Sequence, residues 1–137
     1  MPRHLVVDAG PIIGLIDVLD AYHDAAARGI RQLHAARTQL LLPTPILFEV
    51  YKRISYDVNN ETARRALTYM RDAFELEFVG RDELAELEVL VESMPWWGGS
   101  LEDGVVAMIG LSREIPVWTF NYRDLGAFQN LTFWTPG

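Results

Sequence analysis

The sequence predicts an α/β domain: three α/β/α layers around a central parallel sheet of about five strands. Two observations predict it. Short apolar runs recur along the chain (Leu5-Val6-Val7, Leu40-Leu41-Leu42, Val117-Trp118), and stretches with helical spacing separate them. Strands that read as continuous apolar runs, rather than alternating ones, belong to a parallel sheet covered on both faces.

The elements follow in order. His4 to Asp8 is a first strand ending on an acid, and Pro11 suits the first turn of a helix near 11–20. Ala21 to Arg37 carries Ala25, Ala26, Ile30 and Leu33 on one helical face. Leu40–Leu42 is a buried strand stopped by Pro43. Thr44 is expected to cap a helix with Pro45 at its first position, running through Ile46, Leu47, Val50 and Ile54. Asn59 or Asn60 caps the helix Glu61 to Phe74. Leu76–Val79 is a third strand and Asp82–Met94 a helix. Pro95-Trp96-Trp97-Gly98-Gly99 is a loop, and Ser100 opens a helix to about Arg113. Pro116–Phe120 is a fourth strand and Leu131–Trp134 a fifth.

Composition bounds the function. The 137 residues are enough for one domain with one core, spanning 1–137. With no cysteine, disulfides, thiolate metal sites and cysteine nucleophiles are excluded, and a reducing, cytoplasmic setting is expected. Met-Pro-Arg-His is too short and polar for a signal peptide, and no apolar run reaches the length of a membrane span. Charge is uneven. Residues 1–71 carry nine Lys/Arg against seven Asp/Glu, a balance of +2, while residues 72–137 carry three against twelve, a balance of −9. A polyanion is repelled by much of the second half, so total charge is a weak nucleic-acid signal.

Four acids stand where strand and helix ends of a parallel sheet share one rim. Asp8 ends the first strand, and a charge there needs a partner if buried. Glu49 interrupts the apolar run Pro45–Tyr51; it is either a solvated helix position or a site acid. Asp103 follows Ser100 in a capping-box pattern, which alone accounts for it structurally, and Glu102 beside it faces solvent. Asp124 suits an ordinary turn after the fourth strand.

The chain here resembles PIN-domain ribonucleases, and in particular the toxin-type, VapC-like members. Val7-Asp8-Ala9-Gly10-Pro11-Ile12-Ile13-Gly14-Leu15 looks like their opening, and Pro45-Ile46-Leu47-Phe48-Glu49-Val50 like their glutamate-bearing helix. Ser100 to Gly110 resembles their third acidic motif and Val117-Trp118-Thr119-Phe120-Asn121-Tyr122-Arg123-Asp124-Leu125 their last. His23 falls where many toxin-type members carry a histidine. The resemblance implies catalytic acids Asp8, Glu49 and Asp103, a Mg²⁺ or Mn²⁺ ion on Asp8 and Asp103, and hydrolysis of RNA phosphodiesters. Carboxylates suit such hard cations, and a cation allows clustered acids to ionise together. An antitoxin partner and a homodimer are further implications.

One position departs from the family. An aspartate usually follows two residues after the Thr of the last motif, and this chain has Asn121; Asp124 nearby is the candidate replacement. Thr119 is expected to hold this motif through its hydroxyl. Lys52, Arg53, Arg64 and Arg65 are the densest basic group, either a solvated face or phosphate contacts. His23 reads as a helix-surface residue, with RNA contact the alternative. Trp96 and Trp97 are packing or partner residues, with base stacking the alternative. Two other functions compete: a PIN-like RNA- or protein-binding module without chemistry, on the evidence of Asn121, and a phosphotransferase with Asp8 as nucleophile. The second needs an aspartate two positions after Asp8, where Gly10 stands.

Overall fold

Strand β1 (His4–Val7) lies inside the sheet, and everything else is arranged about its carboxyl end. The computed structural model describes residues 1–137. After β1 come α1 (Ala9–Ile16), α2 (His23–Ala35), β2 (Gln39–Pro43), α3 (Thr44–Asp57) and α4 (Asn60–Ala73). They are followed by β3 (Glu75–Glu77), α5 (Arg81–Glu92), α6 (Leu101–Arg113), β4 (Val117–Trp118) and the single turn α7 (Tyr122–Leu125). The strands form one parallel sheet in the order β3-β2-β1-β4. Leu5 and Val6 pair with Leu40 and Leu41 on one side, and Val6 and Val7 pair with Val117 and Trp118 on the other.

This order puts the reversal of winding between β1 and β4. The chain moves outward from β1 to β2 to β3, then returns past β1 to β4. Right-handed crossovers therefore place α1–α4 on one face and α5–α6 on the other. Helices part at such a switch point, leaving a crevice beyond the strand ends. Asp8 follows β1 there and Thr119 follows β4; the Asp8 N–H donates to the Trp118 carbonyl at 3.0 Å, fixing their register.

The core explains why these elements form. Leu5, Val6, Val7, Leu42, Ile46, Val50 and Ile54 are fully buried. Each such side chain contributes about 1.5–3 kcal/mol on burial. On α6, residues Gly104 to Gly110 are all buried, so that helix has no solvent face along its middle.

The sheet has four strands, not about five. Leu131–Trp134 makes only one parallel bridge, Phe133 to Val117. Asn130 just before it takes a left-handed φ of 70°, and Pro136 follows shortly, so the ladder has no length to grow. The helix expected over 11–20 stops at Ile16. Asp17 accepts the Leu19 N–H at 3.0 Å and Asp20 accepts the Tyr22 N–H at 2.9 Å, two aspartate turns that replace the next helical turn. Thr44 is inside α3 rather than its cap, which is Pro43, and no side chain caps that end. Strand β3 ends at Glu77, and Phe78 beyond it is exposed. Helix α7 is absent from the sequence reading; Asn121 caps it by accepting the Asp124 N–H.

Gly29 on α2 lies against the Trp118 ring, and a Cβ at that position would overlap it. Gly29→Ala gains about 1 kcal/mol of helix propensity but overpacks a buried indole, costing about 1–3 kcal/mol. A lower melting temperature is expected; a higher one would show that Trp118 can move aside freely.

Candidate active site

Four parts of the chain meet at one cleft of about 260 Å³ at the carboxyl edge of the sheet. Asp8 enters from β1, Glu49 from α3, Asp103 from α6 and Asn121 from the loop after β4, and all four line it. Ala9, Gly10, Ile13, Asp20, Tyr22, Arg53 and Phe120 complete the wall.

Asp8 is 4% exposed and caps α1, one oxygen accepting the Ala9 N–H at 2.8 Å. Its other oxygen accepts the hydroxyl of the fully buried Thr119 at 2.7 Å. That hydroxyl in turn accepts the Asn121 N–H at 2.9 Å. Thr119 thus ties the acid of β1 to the loop after β4. Burial pushes the Asp8 carboxyl above its ordinary value, against the pull of these two hydrogen bonds, and the Asp103 charge adds to the rise.

Asp103 performs the capping-box task and faces the cleft as well. Its Oδ2 accepts the Ser100 N–H at 3.1 Å, and its own N–H donates to the Ser100 hydroxyl at 3.1 Å. The same Oδ2 accepts from the Asn121 amide nitrogen at 3.4 Å. The two readings of Asp103 therefore do not compete: the cap is what aims the carboxylate.

Glu49 is half-buried and has no hydrogen-bonded or ion-paired partner. Burial, followed by the charges of Asp8, Glu102 and Asp103, pushes it from 4.5 to about 7, with Arg53 pulling weakly the other way. Since the folded-state value is raised, this carboxylate costs stability as pH climbs through about 5 to 7, and the cost is constant above. Glu49→Gln should therefore stabilise the metal-free protein by about 1–2 kcal/mol at pH 8, after allowance for solvent screening, and hardly at all near pH 4.5. Thermal melting in EDTA at the two pH values checks this; equal shifts at both would remove the charge from the explanation.

Asn121 spends its amide within the chain. Its oxygen accepts the Asp124 N–H at 3.4 Å, and its nitrogen donates to Asp103 and, at 3.1 Å, to the Asp124 carboxylate. Asp124 does not line the cleft; Asn121 and the Arg123 guanidinium hold its carboxyl below the ordinary range.

Of the basic group, Arg53 lines the cleft, and Lys52 lies in a neighbouring depression with Glu49 and Glu102. Arg64 and Arg65 are exposed on α4 and line neither. His23 is not a free surface residue: its Nδ1 donates to the Gly14 carbonyl at 2.8 Å, tying α2 to α1. Trp97 is half-buried, its Nε1 donating to the Asp124 carbonyl at 2.8 Å, while Trp96 is exposed. Sequence reasoning missed Asp20, Tyr22 and Phe120 as cleft residues. The turn formers Asp17 and Asp20 were the available signal for the first two.

The donor set fits a hard divalent cation. Four carboxylates, Asp8, Asp20, Glu49 and Asp103, share the cleft with one cation, Arg53, and burial together with the charges of neighbouring acids raises Asp8 and Glu49. The side chains as arranged do not close into a ready-made cage of three ligands.

No protein-family model matches the chain, and no curated protein matches it in sequence. Solved structures do match it along nearly its whole length. VapC20 of Mycobacterium tuberculosis, a sarcin–ricin loop cleaving toxin, superposes with a TM-score of 0.76 at 16% identity, covering 93% of this chain and 98% of that one. A chain of VapBC2 from Rickettsia felis, bound to a promoter DNA fragment, gives 0.76 at 13% identity over 96% and 97%. A chain of a Klebsiella pneumoniae toxin–antitoxin complex gives 0.65 at 16% identity over 97% and 98%. The chain has the fold of the VapC PIN-domain toxins, a parallel four-stranded sheet flanked by helices.

Proposed function

We propose that this chain is a divalent-metal-dependent endoribonuclease and the toxin of a toxin–antitoxin pair. The observation that carries the proposal is the convergence of Asp8, Glu49, Asp103 and Asn121 on one cleft at the switch point of the sheet. The sarcin–ricin loop cleaving toxin VapC20 and a chain of a toxin–antitoxin complex, which share this fold, support it.

In this reading Asp8 and Asp103 would hold a Mg²⁺ or Mn²⁺ ion, with Glu49 as the third catalytic acid beside them and Asn121 as a neutral neighbour. The ion, when bound, supplies an activated water and neutralises charge on the phosphoryl oxygens. The chain's own residues set the geometry. Thr119 orients Asp8, Ser100 aims Asp103, and Asn121 braces Asp103 against α7. Arg53 is the cation available to a substrate phosphate, since its own partner Asp57 stands off at 3.7 Å with both side chains about half exposed. Lys52, Arg64 and Arg65 are weaker, outlying phosphate contacts. The partners are an RNA substrate, an antitoxin and a second copy of the chain; no helix is long and apolar enough to cross a membrane.

Cleavage of RNA by the purified protein with Mg²⁺ or Mn²⁺, against the same reaction in EDTA, tests the proposal. Metal-dependent cutting is expected. RNA binding with no cleavage under either condition would favour the second reading, a binding module, for which the uncharged Asn121 speaks.

A further inference from the structure

The cleft has a wall to which metal and acid chemistry gives no task. Tyr22 and Phe120 line it beside the acids, their rings stacked at 4.3 Å between centroids and 14° between planes. Phe120 is held from behind. It lies on Gly10, where even a Cβ would come within 3.3 Å of its ring, and it meets Trp118 edge-on at 6.4 Å. Tyr22 is held through its backbone: its N–H donates to Asp20 and its carbonyl accepts the Ala26 N–H, both at 2.9 Å. One face of the Tyr22 ring rests on Phe120, yet the residue is 51% exposed. An aromatic pair serving only the core would bury both rings. This one leaves Tyr22 half exposed and lining a cleft shared with the acids.

We infer that Tyr22, backed by Phe120, is a stacking platform for one unpaired nucleobase of the RNA whose phosphodiester lies over Asp8 and Asp103. The inference rests on the nuclease reading and adds to it a residue that binds one base rather than the phosphodiester. A duplex keeps its bases stacked on one another, so only an unpaired base can lie on the ring. Every base has a π-face, so the platform tolerates sequence. Arg53 is the one Lys or Arg lining the same cleft and supplies the cation for the neighbouring phosphate. The platform is a binding element, so its loss falls on affinity and KM.

The test uses Tyr22→Phe, which keeps the π-face, and Tyr22→Leu, which keeps apolar bulk on Phe120 without one. Binding is read by fluorescence of a single-stranded oligoribonucleotide containing 2-aminopurine, with Ca²⁺ in place of Mg²⁺ to block cutting and all the cleft acids left intact. Quenching is expected with Tyr22 and with Tyr22→Phe, and none with a fully paired duplex. Tyr22→Leu should lose the quench and bind about tenfold more weakly, about 1.4 kcal/mol. In otherwise wild-type protein, Tyr22→Leu should raise KM by a similar factor and leave kcat within about threefold. Unchanged quenching and affinity in Tyr22→Leu, alongside wild-type cleavage, would overturn the platform alone. Tyr22-dependent quenching without any cleavage by the wild type would overturn the nuclease reading and leave the platform. An oligonucleotide that does not bind at all would overturn both.

Discussion

Asp8→Asn is expected to reduce RNA cleavage by on the order of 10²–10³-fold or more while the protein stays folded. Asp8 is the most buried of the acids, so it has no solvent-facing role to fall back on. Its folded-state carboxyl is raised, chiefly by burial, so the charged form is the disfavoured one inside the protein. The amide is nearly the same size and can still accept the Ala9 N–H. Removing the charge also relieves its repulsion with Asp103 and Glu49. Melting in EDTA at pH 8 should therefore be unchanged or higher. Because the raised folded value penalises the charge only above the ordinary carboxylate range, any gain should vanish toward pH 3. Full activity in Asp8→Asn would move the chemistry elsewhere. A large fall in melting temperature would mean that the charged link from Asp8 to Thr119 and Ala9 outweighs its burial, making Asp8 a structural residue.

Asn121→Asp should tighten divalent-ion binding by about tenfold or more, because affinity for hard cations follows the number of charged oxygens. The substitution replaces a hydrogen-bond donor between Asp103 and Asp124 by a third carboxylate. The apo protein should suffer, its melting temperature falling by about 3–8 °C for a loss of about 1–2 kcal/mol. The helix α7 cap is not at stake, since Asp and Asn cap equally well. Added Mn²⁺ should return more than the loss, as a ligand that binds only the folded state stabilises it by mass action. Asp124→Asn should leave the metal-induced gain as it is, because Asp124 stands outside the cleft and is already paired with Asn121 and Arg123. The reverse pattern, with Asp124→Asn abolishing the gain and Asn121→Asp leaving it, would place the ion on Asp124.

The sheet was legible because its strands announce themselves by burial. Leu5–Val7, Leu40–Leu42 and Val117–Trp118 are apolar runs whose every residue lies in the core. The cleft was legible for a related reason: a charge at the end of such a run has nowhere to go except the crevice beyond the strand, and Asp8 stands there at the end of β1. What stayed hidden was local competition. Asp17 and Asp20 turn α1 off a helical path that Val18 and Leu19 would have continued, and that turn is what carries Tyr22 into the cleft. Leu131–Trp134 has strand composition, but ladder length depends on Asn130 and Pro136 at its ends. The cross-links from Thr119 to Asp8 and from Asn121 to Asp103 span 111 and 18 residues, and no periodicity encodes such pairs.

Calorimetric titration of the metal-free protein with Mn²⁺, run side by side on wild type and Asp8→Asn, reads whether the cleft holds an ion and whether Asp8 holds it. Saturable binding to the wild type with Kd below about 1 mM is expected, with loss of most of that affinity in Asp8→Asn. No binding up to about 10 mM, where the association is worth only about 3 kcal/mol, or equal binding by both proteins, would contradict it.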